Sequence, residues 1–154
     1  MAAETAGFAF GLIDTQGGGS ELNSTVVTSS SLVVIPTAIT SYDVSASVLT
    51  VEFIIDLLER EQLEDTVTVG LLVTRLPHTL NKSREDDLAA IQDFPLFETR
   101  LRERDALTGM LQSGLLHLSL AQRRAQSSFA ATHFQSAMRE ADSLVDEVLE
   151  LMED

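Results

Sequence analysis

The chain has 154 residues, a formal net charge of −14 and no cysteine. Its length is that of one domain, and a hydrophobic content of 44% excludes wholesale disorder. The missing cysteines exclude disulfides, thiolate metal sites and cysteine nucleophiles, while the negative charge opposes non-specific binding to DNA or anionic lipid. Because there is no signal-peptide pattern and no apolar run of about 18 residues, we expect residues 1–154 to form one soluble, cytoplasmic domain without membrane insertion.

The stretch from Phe8 to Glu21 is the first with a chemical pattern. Its apolar run, Phe8–Ile13, predicts a buried strand of a parallel sheet, and Asp14 follows where that strand ends. Ligands of such sheets bind beyond the carboxyl ends of the strands. A carboxylate there can hold Mg²⁺ through water, and the glycines at 17–19 let main-chain N–H groups approach a phosphate. An ordinary strand end followed by a turn is the alternative that these residues leave open.

Strand and helix patterns then alternate, which is typical of an α/β domain with a parallel sheet. Strands are predicted over Ser31–Pro36, Thr66–Val73 and Leu96–Leu101, a short helix over Asn23–Ser30, and a long helix over 127–152. Asp43, Ser83 and Asp105 are predicted to begin three further helices, with Glu61 near the end of the first and Gly114 after the last. The residues expected on buried helix faces are Val44, Val48, Val51, Ile55 and Leu58, and on the long helix Phe134, Met138, Ala141, Val145, Val148 and Met152.

An ordered set of segments in this chain resembles the ParA/MinD partition ATPases. They are the stretch LIDTQGGGSELNSTVVTSSSLVVIPTAITSYD, which ends at Asp43, then Glu103–Leu107 and Gly114–Leu120. Within that group the chain is most similar to the VirC-type accessory ATPases of T-DNA and conjugal transfer. The resemblance implies a partial P-loop NTPase-like parallel sheet flanked by helices, which starts at the Walker B-like strand.

The resemblance also implies site residues, cofactors and partners. It places Asp14 beside the Mg²⁺ of ATP, through water. The other nucleotide-site residues that it implies are Thr15, Gly17 and Gly18 near the γ-phosphate and Arg75, Leu101 and Arg102 near the adenine base. An intact relative would form a homodimer around ATP, engage DNA at the transfer origin and bring the relaxase complex to the coupling proteins of the transfer apparatus.

One departure from the family pattern limits these expectations. The sequence has no G-K-S/T motif, and its single lysine, Lys82, lies in a polar linker. We therefore expect the chain to correspond to the C-terminal part of the family fold, without the strand that leads into the phosphate-binding loop. Alone it should neither bind ATP and Mg²⁺ tightly nor hydrolyse ATP, and it would need a complementing N-terminal part. The alternatives are a non-enzymatic interaction module that keeps the dimer and partner surfaces, and a gene remnant.

The same departure predicts an open sheet. Phe8–Ile13 and Leu32–Ile35 would flank the missing strand, and each buried main-chain group left unpaired costs about 1–3 kcal/mol. We expect a marginal domain that self-associates through the Phe8–Ile13 edge.

Basic residues concentrate between Glu98 and Arg124, where five arginines and three acidic residues give a net charge of +2. Two interpretations stay open. DNA phosphates would be contacted by Arg100, Arg104, Arg123 and Arg124, and Arg100, Arg102 and Arg104 would share one strand face if the strand runs that far. Alternatively these residues form a solvated rim, because no aromatic residue lies among them to stack on bases.

The remaining titratable residues predict no further chemistry. The three histidines lack metal-ligand spacing, and His117, in an apolar run, is expected in the core. The acidic C-terminal helix is expected to pack on the sheet, because anionic lipid would repel it.

Overall fold

A computed structural model describes residues 9–15, 21–126 and 128–153. Its helices are α1 (Glu21–Thr28), α2 (Ser41–Glu61), α3 (Lys82–Ala89), α4 (Asp105–Thr108), α5 (Met110–Ser113), α6 (Leu116–Gln126) and α7 (Ser128–Glu153). Its strands, β1 (Leu32–Thr37) and β2 (Thr68–Val73), form a two-stranded parallel sheet. The predicted α/β class is therefore confirmed, as a small parallel sheet flanked by helices.

The sheet is built around β2, the more deeply buried of the two strands. Leu71 and Val73 are 0% and 1% exposed, and Val51 of α2 packs in the same cluster. Gly70 lets the Phe97 ring approach the strand closely, since a Cβ at that position would lie 2.6 Å from the ring. The centre of the core thus lies between α2, β2 and the segment that follows α3.

The prediction of a strand over Leu96–Leu101 is wrong, because this segment does not form a regular strand. Among the described residues this part of the chain forms only two parallel bridges, one to β2 (Leu96 beside Leu71) and one just beyond its end (Arg102 beside Leu76). It is an irregular edge of the sheet rather than a third strand.

An outward bulge of this edge explains the irregularity. The N–H of Phe97 donates to the carbonyl of Leu71 and the N–H of Leu101 donates to that of Val73, both at 2.9 Å. Between these bonds the edge advances four residues, from 97 to 101, while β2 advances two, from 71 to 73. The two extra residues cannot pair with β2, so residues 98–100 bulge away from it.

The prediction of a buried strand over Phe8–Ile13 is wrong for the described residues 9–13. Residues 9–15 form no helix or strand, and the side chains of Phe10, Leu12 and Ile13 are 60%, 100% and 60% exposed. A strand forms only when its main-chain groups are hydrogen-bonded to a neighbouring strand, and no segment in the described ranges pairs with residues 9–15. The apolar sequence of residues 9–13 is therefore not enough to bury them against the other described residues.

Helix α2 begins earlier than predicted, and of the five residues predicted on its buried face only Ile55 is exposed. Thr40 is its N-cap: its hydroxyl accepts from the N–H of Asp43 (3.1 Å) and donates to the Asp43 carboxylate (2.7 Å), a reciprocal capping arrangement. The end at Glu61 is confirmed. Ile54 is buried and Ile55 is exposed, because the 3/4 spacing from residues 44, 47 and 51 continues through 54.

Two other helix starts differ by one or two residues. Asn81, not Ser83, caps α3, and its side chain accepts from the N–H of Arg84 at 3.0 Å. Asp105 is the first residue of α4 rather than its cap. Gly114, with φ of 80°, follows the end of α5 as predicted.

A second hydrophobic cluster joins α4 and α6 to the first half of α7. Phe134 is buried there, with Met138 and Ala141 packed against the cluster. Farther along α7 the predicted stripe is wrong, since Val145 and Met152 are 55% and 42% exposed.

His117 is exposed, so its expected place in the core is also wrong. No helix in the described ranges is long and apolar enough to cross a bilayer.

Candidate functional site

The carboxyl ends of β1, β2 and the irregular edge lie side by side. The N–H and the hydroxyl of Thr74 both donate to the carbonyl of Thr37, at 2.7 and 3.2 Å. On the other side, the N–H of Leu76 donates to the carbonyl of Leu101 at 3.0 Å. This row of strand ends, which we call the carboxyl edge, is where parallel sheets bind ligands.

The structure brings Arg75, Leu101 and Arg102 together at the carboxyl edge. Leu76 and Arg102 form a bridge, so the two arginines leave neighbouring segments at the same end of the sheet. Arg75 is exposed and adopts a φ of 48°, a left-handed conformation that costs a non-glycine residue about 1 kcal/mol or more. Arg75 and Arg102 therefore lie on neighbouring segments of the carboxyl edge, and their contact with a base stays a prediction.

The other half of the predicted nucleotide site is not assembled by the described residues. Asp14 and Thr15 lie exposed in the coil of residues 9–15, and Gly17 and Gly18 lie outside the described residues. Lys82, which could neutralise phosphate charge, is exposed at the start of α3 and pairs with Asp86 at 2.8 Å. This donor set does not fit Mg²⁺-ATP, because no described main-chain loop and lysine converge where a triphosphate would lie.

The arginines predicted to contact DNA have different surroundings. Arg104 is largely buried in an ion pair with Glu140. Arg123 lies over the Phe134 ring, 4.5 Å from its centroid, and still exposes its charge. Arg100 and Arg124 are exposed. The irregular edge does not place Arg100, Arg102 and Arg104 on one regular strand face, so that expectation is wrong.

Sequence reasoning missed two glutamates of α7 that hold the bulged edge. The carboxylate of Glu147 accepts from the N–H groups of Glu98 (2.6 Å) and Thr99 (2.9 Å). One oxygen of Glu140 accepts from the N–H of Arg102 at 3.0 Å. These are the main-chain donors that β2 leaves unused, so α7 carboxylates take the place of a further strand.

The spacing of the two glutamates was the signal that could have identified them. Glu140 and Glu147 are seven residues apart, two helical turns, and therefore share one face of α7. Leu144 and Leu151 lie on the same face, and both are half-buried. In the sequence these two glutamates cannot be distinguished from the other acidic residues of α7. In the described structure the main-chain N–H groups of the bulged edge donate to Glu140 and Glu147.

Glu140 also forms a largely buried ion pair with Arg104. Both Nε and Nη2 of Arg104 donate to its carboxylate, with the shortest contact at 2.5 Å, and the two side chains are only 15% and 18% exposed. Burial alone would raise the pKa of Glu140, but the hydrogen bonds from Arg104 and the Arg102 N–H, with the nearby positive charge, outweigh it and lower the pKa. The same hydrogen bond raises the pKa of Arg104.

A cleft of about 1050 Å³ is lined by residues of β2, the bulged edge and α7. Thr68, Val69 and Gly70 line it, so it lies at the amino-terminal half of β2, away from Arg75. Its charged lining is mainly acidic: Glu98, Glu140, Asp146, Glu147 and Glu150 against Arg100 and Arg139. An acidic cleft repels a nucleotide, and the described residues contain no cluster suited to a metal ion. The carboxyl edge therefore remains the candidate site.

Comparison with known proteins identifies the family. A family model described as "VirC1 protein" matches residues 1–154. The chain belongs to the VirC1 family. It is 36% identical over 157 residues to protein virC1 of Rhizobium rhizogenes, a match that covers 96% of this chain and 66% of the relative. It is 36% identical over 119 residues to protein virC1 of Rhizobium radiobacter, covering 77% of this chain and 51% of the relative.

These matches confirm the resemblance to VirC-type proteins drawn from the sequence motifs. They also show that the chain spans 66% and 51% of the lengths of the two relatives. No solved structure matches the chain.

Proposed function

We propose that this chain is a VirC-type accessory component of T-DNA or plasmid transfer, with a ParA/MinD-like core. In this role it assists DNA processing and the recruitment of the relaxase–DNA complex to the transfer apparatus. The observation that carries the proposal is the VirC1 family match over residues 1–154. A parallel sheet whose carboxyl edge gathers Arg75 and Arg102 supports the ParA/MinD-like core.

The proposal assigns only part of a nucleotide site to this chain. The carboxyl edge supplies arginine side chains, and Asp14 is free in solvent to join a site completed from outside the described residues. ATP hydrolysis requires phosphates held by main-chain donors, a cation and Mg²⁺ together. Because the sequence contains no glycine-lysine loop, those groups must come from a complementing part, and the chain alone is not an ATPase.

A complementation experiment tests this role. In a Rhizobium radiobacter strain that lacks its virC1 protein, T-DNA transfer is measured with this chain, with the part of the relative outside the matched region, and with both. We expect transfer only with both parts, and the intact relative is the positive control. Failure of the two parts together, although both are expressed, would contradict the proposal.

A non-enzymatic interaction module is the second candidate, favoured by the donor set that does not fit Mg²⁺-ATP. The same assay separates the two with Asp14→Ala in this chain, and Asp142→Ala, an exposed carboxylate of α7, is the matched control. Loss of transfer with Asp14→Ala alone supports a shared nucleotide site. Equal transfer with both variants supports an interaction role that needs no nucleotide at this position.

A further inference from the structure

The bulged edge meets β2 in one of two registers that β2 could accept. The N–H of Phe97 donates to the carbonyl of Leu71. In a regular parallel strand, the N–H of Thr99 would then donate to the carbonyl of Val73. In the structure the N–H of Leu101 makes that bond instead. Thr99 and Leu101 are both half-buried, so neither requires a fully apolar place, and the same carbonyl can accept from either.

The Glu147 carboxylate makes contacts that exist only in the observed register. It accepts from the N–H groups of Glu98 and Thr99, at 2.6 and 2.9 Å, and thereby holds both away from β2. Glu147 is half-buried and lines the cleft together with residues 98–100, so the bulge faces open space. Loss of this carboxylate would free two main-chain donors, and β2 offers a carbonyl to one of them.

The two-residue spacing of the arginines lets the rest of the edge shift while keeping its contacts with α7. Side chains alternate along a strand, so a shift by two residues keeps each one on the same face. Arg100 would take the place of Arg102, whose N–H donates to Glu140 at 3.0 Å. Arg102 would take the place of Arg104 in the ion pair with Glu140. Glu140 can therefore serve both registers, whereas Glu147 serves only the observed one.

We propose that the edge has a second register, shifted by two residues along β2, and that the Glu147 carboxylate selects the observed one. In the second register the bulge is gone, and the two extra residues lie just before α4. Arg100 then replaces Arg102 at the carboxyl edge, beside Arg75. Arg104, largely buried in the observed register, is released from its ion pair. Glu147 thus controls which arginines this end of the sheet presents.

Amide hydrogen exchange of the purified chain, followed by NMR, tests the proposal with Glu147→Ala. In the natural chain Leu101 and Glu103 donate to carbonyls of β2 and of Leu76, so both N–H groups should exchange slowly. In the second register Thr99 and Leu101 make those two bonds, and Glu103 makes neither. We therefore expect Glu147→Ala to speed exchange at Glu103 by roughly 10-fold or more, while Thr99 and Leu101 stay protected.

The control for this exchange experiment is Glu150→Ala, at an exposed carboxylate that lines the same cleft. It should keep the natural exchange pattern, and the same change in both variants would overturn the proposal. Glu103 that stays protected in Glu147→Ala would overturn it too, because the bulge would then persist without the carboxylate. Loss of protection at Thr99 along with Glu103 would mean that the edge detaches rather than shifts, which also contradicts the proposal.

The ion pair of Glu140 gives an independent measurement of the register. In the natural chain Arg104→Ala should lower the urea midpoint more than Arg102→Ala, because the Arg104 guanidinium makes the pair. With Glu147→Ala in the same chain the order should reverse, since Arg102 then pairs with Glu140. An unchanged order of the two midpoints would overturn the proposal.

Discussion

The carboxylate of Glu140 offers the sharpest test of how α7 is held against the sheet. Replacement by alanine leaves the Arg104 guanidinium, only 15% exposed, without its counter-ion. Breaking a fully buried pair costs about 3–5 kcal/mol, and a surface pair contributes about 0–1 kcal/mol. Water still reaches both groups and can replace the bond to the Arg102 N–H, so we expect Glu140→Ala to lower the free energy of unfolding by about 2 kcal/mol.

Urea denaturation followed by far-ultraviolet circular dichroism measures this change, since the chain has no tryptophan. A loss of about 2 kcal/mol moves the midpoint by roughly 1 M urea. Glu150→Ala, an exposed carboxylate on the same helix, is the matched control and should change stability by less than about 0.5 kcal/mol. Equal midpoints for the two variants would refute the reasoning. A double-mutant cycle with Arg104→Ala should show a coupling of about 1–2 kcal/mol.

The pH dependence of the same contact has a definite sign. The pKa of Glu140 is lower in the folded chain than its usual value, so its stabilisation is fully present above the unfolded pKa of about 4.3. It is lost as the pH falls through the lower, folded value. The stability difference between the natural chain and Glu140→Gln should therefore be constant near neutrality and shrink below about pH 4.3.

Two further predictions concern packing and DNA. Gly70→Ala should destabilise the chain by about 1–3 kcal/mol in urea titrations, because the new Cβ would lie 2.6 Å from the buried Phe97 ring. Adding Phe97→Leu to the same chain should recover part of this loss. An unchanged urea midpoint for Gly70→Ala would contradict the close packing of Gly70 and Phe97. If Arg123 and Arg124 contact DNA phosphates, replacing both with alanine should reduce the slope of the logarithm of the binding constant against the logarithm of the salt concentration by the contribution of about two phosphate contacts. An unchanged slope would show that neither arginine contacts the DNA.

Sequence periodicity predicted the elements that carry a clear hydrophobic pattern of their own. Ser31–Pro36 and Thr66–Val73 were found within two residues of β1 and β2, and the long helix begins at Ser128 as expected. Each of these segments carries a hydrophobic pattern of its own, which reveals it even though β1 and β2 pair at a separation of 36 residues. Residues 9–13 were misjudged because burial of a strand depends on a neighbouring strand, which periodicity does not supply.

The carboxyl edge was predictable only in part. The proximity of Arg75 and Arg102 follows from parallel strands that end at the same side of a sheet. The seven-residue spacing of Glu140 and Glu147 indicates a shared helix face, but their pairing with the bulged edge also depends on the unused main-chain donors of that edge, which become visible only in the fold. Arg104 illustrates the consequence: its charge suggests a DNA contact in the sequence, whereas the folded chain pairs it with Glu140.

The central proposal, that this VirC1-family chain does not hydrolyse ATP by itself, is tested most directly by phosphate release. Purified chain is incubated with Mg²⁺-ATP, in parallel with the Asp14→Ala variant as the matched control for contaminating activity. The account predicts the same background release from both preparations, because the phosphate-wrapping loop and its lysine are absent from the sequence. Turnover by the natural chain that disappears with Asp14→Ala would contradict it.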